Sequence, residues 1–462
     1  MRPAGWLVAS RCRRRSDPSP GTAEMSLEIL SLSSTSPQRL QALLRRSAAL
    51  AVDGAALESA RRTLAEVRER GDAALLEYTR RWDGVVLSPE ALVVSQEEVA
   101  EAHRAVDPAV RAALQTMIAR TLAFNERLLP RSWDAPLADG ITAGVRVDPV
   151  AGAGVYVPSG KGRFPSIAVT LLAPAVVAGV PELSLLLPPR PDGSVDPAVL
   201  VVCDLLRVRR IFRCNGVAGV AALAVGTETV PAAPLVVGPG NPHIVAVQLA
   251  AQALGVRVPA ILGPTEAMVL ADEGADPRRL ALDLCCEAEH GPDSAPVLVT
   301  TSRELAEAVV AEVEAVLQQL PEERRRFAAA ALRRYGAVVL AGSTEEAVAF
   351  VNRYAPEHLQ LATRDPVATL AGVRYAGEVL LGQETPFSAA TYAMGLPAAL
   401  PTGGAARCAG GITVLSFLKI TSTGRLDPAA LPTALPVVEA LGTYETFPAH
   451  VLAVRERAVL QR

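Results

Sequence analysis

Aromatic residues make up only 4% of the 462-residue chain, so base-stacking platforms for single-stranded nucleic acid are scarce. Charge of one sign is not in excess: 45 Lys+Arg against 48 Asp+Glu leave a net charge of −3. No basic surplus remains for a phosphate backbone, and nucleic acid is not an expected partner. Cysteine is sparse and irregular (Cys12, Cys203, Cys214, Cys285, Cys286, Cys408), with no CxxC pair. That usage points to a reducing compartment, and a cytoplasmic location is expected. No apolar run reaches the ~20 residues of a membrane-spanning helix. The longest, 167–180, is cut by Pro174 and reads as a buried helix. A GxxxxGK(S/T) loop is absent, which excludes a P-loop nucleotidase. Gly152-Ala153-Gly154 opens like a dinucleotide fingerprint but has Val157 where the third glycine belongs, and a plain strand-end turn explains such a lone GxG more often than not.

Half of the residues are hydrophobic, enough for a globular chain, and its length predicts two or more domains. The first 24 residues hold Arg2, Arg11, Arg13, Arg14 and Arg15 without an apolar stretch long enough for secretion. They read as a transit-like leader or as a start assigned too early, with Met25 as the first residue. Residues 36–130 read as helical. Leu40, Leu43, Leu44 and Ala48, then Leu64, Val67, Ala74 and Leu75, recur at helical spacing, and Asp107-Pro108 starts a new helix. From about Arg146 short apolar strands (154–158, 183–187, 211–215, 235–237, 268–271) alternate with helical stretches (167–180, 197–206, 218–225, 244–254, 277–289). The pattern restarts after 297–300, with a helix near 304–320 and strands at 337–340 and 359–361. Such alternation predicts an α/β fold with two doubly wound, Rossmann-like parallel sheets. The expected division is a leader (1–24), a helical N-terminal segment (25–145), a first α/β domain (146–265), a second (266–426, the sheets free to exchange segments) and a helical tail (427–462).

Histidine is rare, which makes each of the five informative: His103, His243, His290, His358 and His450. His103 lies in an amphipathic helix and reads as a packing or surface residue. Glu287 and His290 sit three apart at a predicted helix end, on one face. They suit two ligands of one metal, or a helix C-cap in which the imidazole meets the last carbonyls before Gly291. Glu357-His358 stands just before a strand. Sites in α/β folds lie at the C-terminal ends of strands, and an imidazole next to a carboxylate suits proton transfer near neutral pH.

Five motifs occur in order: Tyr156-Val157-Pro158-Ser159-Gly160, Gly238-Pro239-Gly240-Asn241, Gly263-Pro264-Thr265-Glu266, Glu289-His290-Gly291-Pro292-Asp293-Ser294 and Ala355-Pro356-Glu357-His358-Leu359. Together with 411–419 and His450, this set resembles the histidinol dehydrogenase family from about residue 36 onward. The resemblance implies an NAD-dependent enzyme that oxidises L-histidinol to the aldehyde and then to L-histidine. It implies His358 as the base on the alcohol and Glu357 as the activator of the water that hydrates the aldehyde. Tyr156 and Asn241 match cofactor-contacting positions, and a third such position, usually Gln, is Ala218. The family places zinc on Gln, His and Asp of one subunit and His from the partner's tail. Here those positions are Glu287, His290, Thr391 and His450, so any zinc is expected on Glu287, His290 and His450, with Thr391 too weak a ligand to replace Asp. Substrate positions carried over are Thr265, Glu287, His290, His358, Glu445 and His450, whereas a family Glu is Phe387 and a family His is Ala398. The losses at Thr391, Phe387 and Ala398 leave two alternatives open: a relative acting on a less polar alcohol, and a non-catalytic scaffold. The tail bearing Glu445 and His450 implies a homodimer with shared sites.

Overall fold

The computed structural model describes residues 27–44, 54–160 and 162–459; the leader, its alternative start at Met25, and Ala48 lie outside them. Many helices begin where an Asp or Asn precedes a proline. The proline takes the first helical position, where no N–H is needed, and the side chain before it caps the next free N–H groups. Asp107 accepts from the Ala109 N–H at 2.7 Å, Asp196 from Ala198 at 2.9 Å, Asn241 from His243 at 3.0 Å and Asp276 from Arg278 at 2.8 Å. The helix Gln96–Ala105 uses a capping box instead, between Ser95 and Glu98.

The chain is α/β, built on two parallel sheets. The small one orders its four strands as Arg210–Arg213, Glu182–Leu187, Gly152–Tyr156 and Val236–Val237. The large one orders six: Ile29–Ser31, Ala337–Leu340, Ala295–Thr300, Glu266–Ala271, His358–Ala362 and Glu378–Leu381. Most central strands are apolar and buried on both faces, as parallel sheets under helices require. The apolar run reads as expected: Pro165–Ala178 is a helix buried from Ala168 through Ala175, Pro174 included. Its Ala168, Leu171, Leu172 and Ala175 join Val155 and Leu185 in the core of the small sheet.

Two features depart from the sequence reading. Ile29–Ser31, in the stretch read as helical, is an edge strand of the large sheet. Trp133–Ala138, Ile141–Pro149 and Leu418–Leu426 form a separate antiparallel sheet. Its strands are largely exposed and so lack the apolar run that marks a strand in sequence. Ala399, Ile412, Val414 and Phe417, beyond the last strand of the large sheet, pack in the small-sheet core. The tail forms two helices, Leu431–Tyr444 and Pro448–Val459. They pack closely at Gly442, where an added Cβ would lie 2.8 Å from Val451.

Candidate active site

The two sheets meet at a cleft of about 300 Å³, at the lower end of the roughly 300–1,000 Å³ usual for small-molecule sites. From the small sheet come the C-terminal ends of two neighbouring strands, Gly152–Tyr156 and Val236–Val237. The strand order reverses between them, which is where ligands enter doubly wound sheets. Tyr156, Ser159 and Arg163 follow the first strand, and Pro239, Gly240 and Asn241 follow the second; all line the cleft. Gly238 lets the second loop close on the first: a Cβ there would lie 2.2 Å from the Tyr156 carbonyl oxygen. Gln248 pins the loop from behind, donating Nε2 to the Gly238 carbonyl at 2.8 Å. Asn241 is thereby fixed as the cap of the helix Pro242–Gln252. Ala218 lies buried inside the helix Gly216–Val225 and does not line the cleft.

The large sheet approaches with its opposite edge, which corrects the expectation for Glu357 and His358. The strand His358–Ala362 begins at His358, and Thr265 and Ser294 precede the parallel strands Glu266–Ala271 and Ala295–Thr300. This half of the site is therefore built at the N-terminal ends of strands. Leu262 and Gly263, between the strands of the two sheets, line the same cleft, which C-terminal strand ends of one sheet and N-terminal strand ends of the other share.

Ala355 turns the chain into Pro356-Glu357-His358 in the left-handed region, φ +56°, a conformation that costs a residue with a Cβ about 1–3 kcal/mol. Both following side chains are buried. Glu357 Oε2 accepts the Glu266 N–H at 2.8 Å, and Glu266 Oε1 accepts the Gly403 N–H at 2.7 Å. His358 Nε2 lies 3.7 Å from Glu357 Oε1, while its Nδ1 is hydrogen-bonded at 2.5 Å to Glu378 Oε1. Burial raises the Glu357 carboxyl above its usual range, against the opposing charge of His358 and the bond from the Glu266 N–H. Burial alone would lower the His358 pKa, but the carboxylates of Glu357, Glu378 and Glu287 outweigh it, and the net shift is upward. A buried carboxyl and imidazole so placed can take up and release protons at a bound molecule.

Thr265, Glu287, His290, Thr391 and Ala398 also line the cleft. Phe387 does not: it is fully buried, with its ring against that of His358 at 5.8 Å in an edge-on arrangement. It therefore packs the imidazole and leaves the cleft wall to Ala398, Ala399 and Leu400. His290 Nδ1 lies 3.2 Å from the Cys286 carbonyl oxygen and 3.5 Å from Glu287 Oε2, so the helix-cap geometry and the shared face coexist. Glu445 and His450 sit on the tail, exposed, with His450 stacked on Phe447 at 5.1 Å, away from the cleft of their own chain. Among the described residues no three His, Cys, Asp or Glu side chains converge as a metal requires. Catalytic zinc takes three protein ligands; one chain brings two, so its own residues do not make a zinc site. His103 bonds Asp204 at 3.0 Å as a packing residue. The sequence reading missed Glu378, whose strand was not read, Glu266, and Arg163 at the cleft mouth.

Among the described residues no helix is long and apolar enough to cross a membrane. The histidinol dehydrogenase family profile matches residues 47–458. The chain is 41% identical to the histidinol dehydrogenase of Synechocystis sp., over 93% of this chain and 98% of that protein. It is 39% identical to histidinol dehydrogenase homolog 2 of Mesorhizobium japonicum, over 93% and 97%. The crystal structure of histidinol dehydrogenase from Elizabethkingia anophelis superposes with a TM-score of 0.87 at 29% identity, covering 93% of this chain and 98% of that one. With the ordered motifs gathered around one cleft, these matches place the chain in the histidinol dehydrogenase family, a family of oxidoreductases.

Proposed function

We propose that the chain is an NAD-dependent histidinol dehydrogenase, oxidising L-histidinol through the aldehyde to L-histidine. The observation that carries this reading is the buried Glu357–His358 pair facing the cofactor-type loop Gly238–Asn241 across one cleft. Tyr156 and Asn241 line the cofactor half, where two strand ends and the N-terminus of the helix Pro242–Gln252 suit a dinucleotide. NAD held there would supply the hydride acceptor for the carbinol carbon. His358 Nε2 takes the hydroxyl proton as the carbon–hydrogen bond breaks, which leaves the aldehyde. Glu357 then takes a proton from water as its oxygen adds to the carbonyl carbon, while His358 returns its proton to the carbonyl oxygen, which gives the hydrate and restores the base. Loss of a second hydride, to a second NAD, and of a second proton, to His358, then yields the acid. Thr265, Glu287 and His290 lie where the polar end of the substrate would be held.

A homodimer completes this reading. The tail exposes Val437, Leu441, Tyr444, Phe447 and Leu452, an apolar set that suits burial against a second copy. Glu445 and His450 of the partner subunit would then reach this cleft, and His450 would supply the third zinc donor beside Glu287 and His290. The test is growth of a strain lacking histidinol dehydrogenase on medium without histidine, with and without this chain. Growth supports the reading. No growth from a soluble, expressed chain that still reduces NAD with another primary alcohol would move the substrate elsewhere.

A further inference from the structure

We propose that Glu378 is the positioning residue of the site, holding the proton of His358 on Nδ1 so that Nε2 faces the cleft as the free base. The inference rests on the reading of His358 as the base and assigns the group that sets its tautomer and plane.

The contact follows from strand register. Glu378–Leu381 pairs in parallel with His358–Ala362, and Glu378 is the register partner of His358. Side chains of register partners point to the same face of a sheet. The pairing starts early: the Gly377 N–H donates to the Pro356 carbonyl at 2.9 Å, and the Glu378 N–H to the Glu357 carbonyl at 3.0 Å. Such closeness needs a residue without a side chain at 377, because a Cβ there would lie 2.5 Å from the Glu357 carbonyl oxygen. A glycine thus carries the strand in, and the carboxylate follows at the next position.

The two ring nitrogens meet unlike surroundings. Nδ1 is within hydrogen-bond distance of Glu378, whereas Nε2 is 3.7 Å from Glu357 Oε1, beyond such a bond. An ionised carboxylate can only accept, so the proton between Glu378 and the ring belongs to Nδ1. The second oxygen of Glu378 is buried with no hydrogen-bond partner. The carboxylate is therefore committed to the imidazole rather than shared with a structural network. Phe387 meets the ring edge-on at 5.8 Å and resists rotation. A partner on one ring nitrogen is the general means of fixing which nitrogen acts.

The test compares Glu378→Gln and Glu378→Asp with the full-length enzyme, oxidising L-histidinol with NAD. A glutamine amide can donate to Nδ1 and so favours the proton on Nε2, where no lone pair is left for the alcohol. The expected result for Glu378→Gln is a fall in kcat of ~10²–10⁴-fold, as wrong-tautomer variants of carboxylate–histidine pairs show, with KM for both substrates within about threefold. Glu378→Asp should recover part of the loss. With ring-¹⁵N histidine at a pH above the raised His358 pKa, where the ring is neutral, the His358 signal, assigned by its disappearance in His358→Ala, should carry its proton on Nδ1 in the parent and on Nε2 in Glu378→Gln. Unchanged kcat in Glu378→Gln, or a His358 proton on Nε2 in the parent, would overturn the proposal while leaving the base intact. Unchanged turnover in His358→Ala would instead remove the underlying reading. If Glu378→Gln fails to fold, the ¹⁵N spectrum of the parent alone decides.

Discussion

The small sheet reaches the cleft through the C-terminal ends of its strands, and the large sheet through the N-terminal ends of its own. The first rim is made of loop backbone, Tyr156, Ser159, Asn241 and the starts of the helices Pro165–Ala178 and Pro242–Gln252. Helix starts present free N–H groups and the positive end of the dipole, which suits a diphosphate. The second rim buries Glu266, Glu287, Glu357, Glu378 and His358. Strand starts and turns also present unpaired N–H groups, but here the protein's own carboxylates use them: the Glu266 N–H at a strand start holds Glu357, and the Gly403 N–H in a turn holds Glu266. On the first rim the helix Pro165–Ala178 has no side-chain cap and keeps its donors for a ligand, while Asn241 caps the helix Pro242–Gln252; the second rim uses its donors to stabilise buried acids. The comparison separates binding from proton transfer, and substitutions should divide along the same line.

The largest effect is expected at the acid–base rim. His358→Ala should lower kcat by ~10²–10⁴-fold, the range for a lost general base, and leave KM for NAD nearly unchanged. Steady-state kinetics with each substrate varied would read this, and an NAD KM raised as strongly as kcat falls would erase the division between rims. Next, Glu357→Gln should lower aldehyde oxidation by about 10²-fold and spare alcohol oxidation by comparison, because only the second stage consumes water. Single-turnover assays started from alcohol and from aldehyde would distinguish them; equal losses would remove the assigned roles.

At the binding rim, Gly238→Ala should act in the opposite way. Its Cβ would collide with the Tyr156 carbonyl, so the loop must shift. An increase of about tenfold in KM for NAD is expected with a modest change in kcat, together with a stability loss of about 1–3 kcal/mol, read by thermal unfolding. The smallest effect is on pH dependence. His358 works as a base only when neutral, and the surrounding carboxylates raise its pKa. Alcohol oxidation should therefore rise with pH through a midpoint above the ordinary ~6.5 of histidine, and Glu378→Gln should move that midpoint down. A kcat/KM profile already flat at pH 6 would contradict the upward shift.

Much of the fold was legible because the strands of parallel sheets are short apolar runs and their helices start at Asp-Pro or Asn-Pro steps. The strand Ala337–Leu340 follows directly from the first signal, and the helix Pro277–Ala288, after Asp276, from the second. The antiparallel sheet was not legible: its strands are solvated, and Leu418–Leu426 pairs with Ile141–Pro149 from the far end of the chain. Ile29–Ser31 has three residues, too few for any periodicity. Within the site, scarcity of histidine singled out His358, and its neighbour Glu357 came with it. Glu378 could not be found this way, since its contact depends on the register of a strand twenty residues on. The nearest signal was Gly377 followed by a carboxylate at the start of a short apolar run. Phe387 taught the converse: its chemistry suggested an apolar cleft wall, but burial places it behind His358.

The central claim is that two rims around one cleft carry a substrate through two successive oxidations. The most direct measurement is the number of NADH molecules formed per molecule of L-histidinol consumed by purified enzyme, followed by absorbance with the product identified by chromatography. The account predicts two NADH and L-histidine from the parent chain, with the stoichiometry falling toward one in Glu357→Gln as aldehyde accumulates. One NADH per histidinol in the parent chain, with the aldehyde as final product, would contradict it.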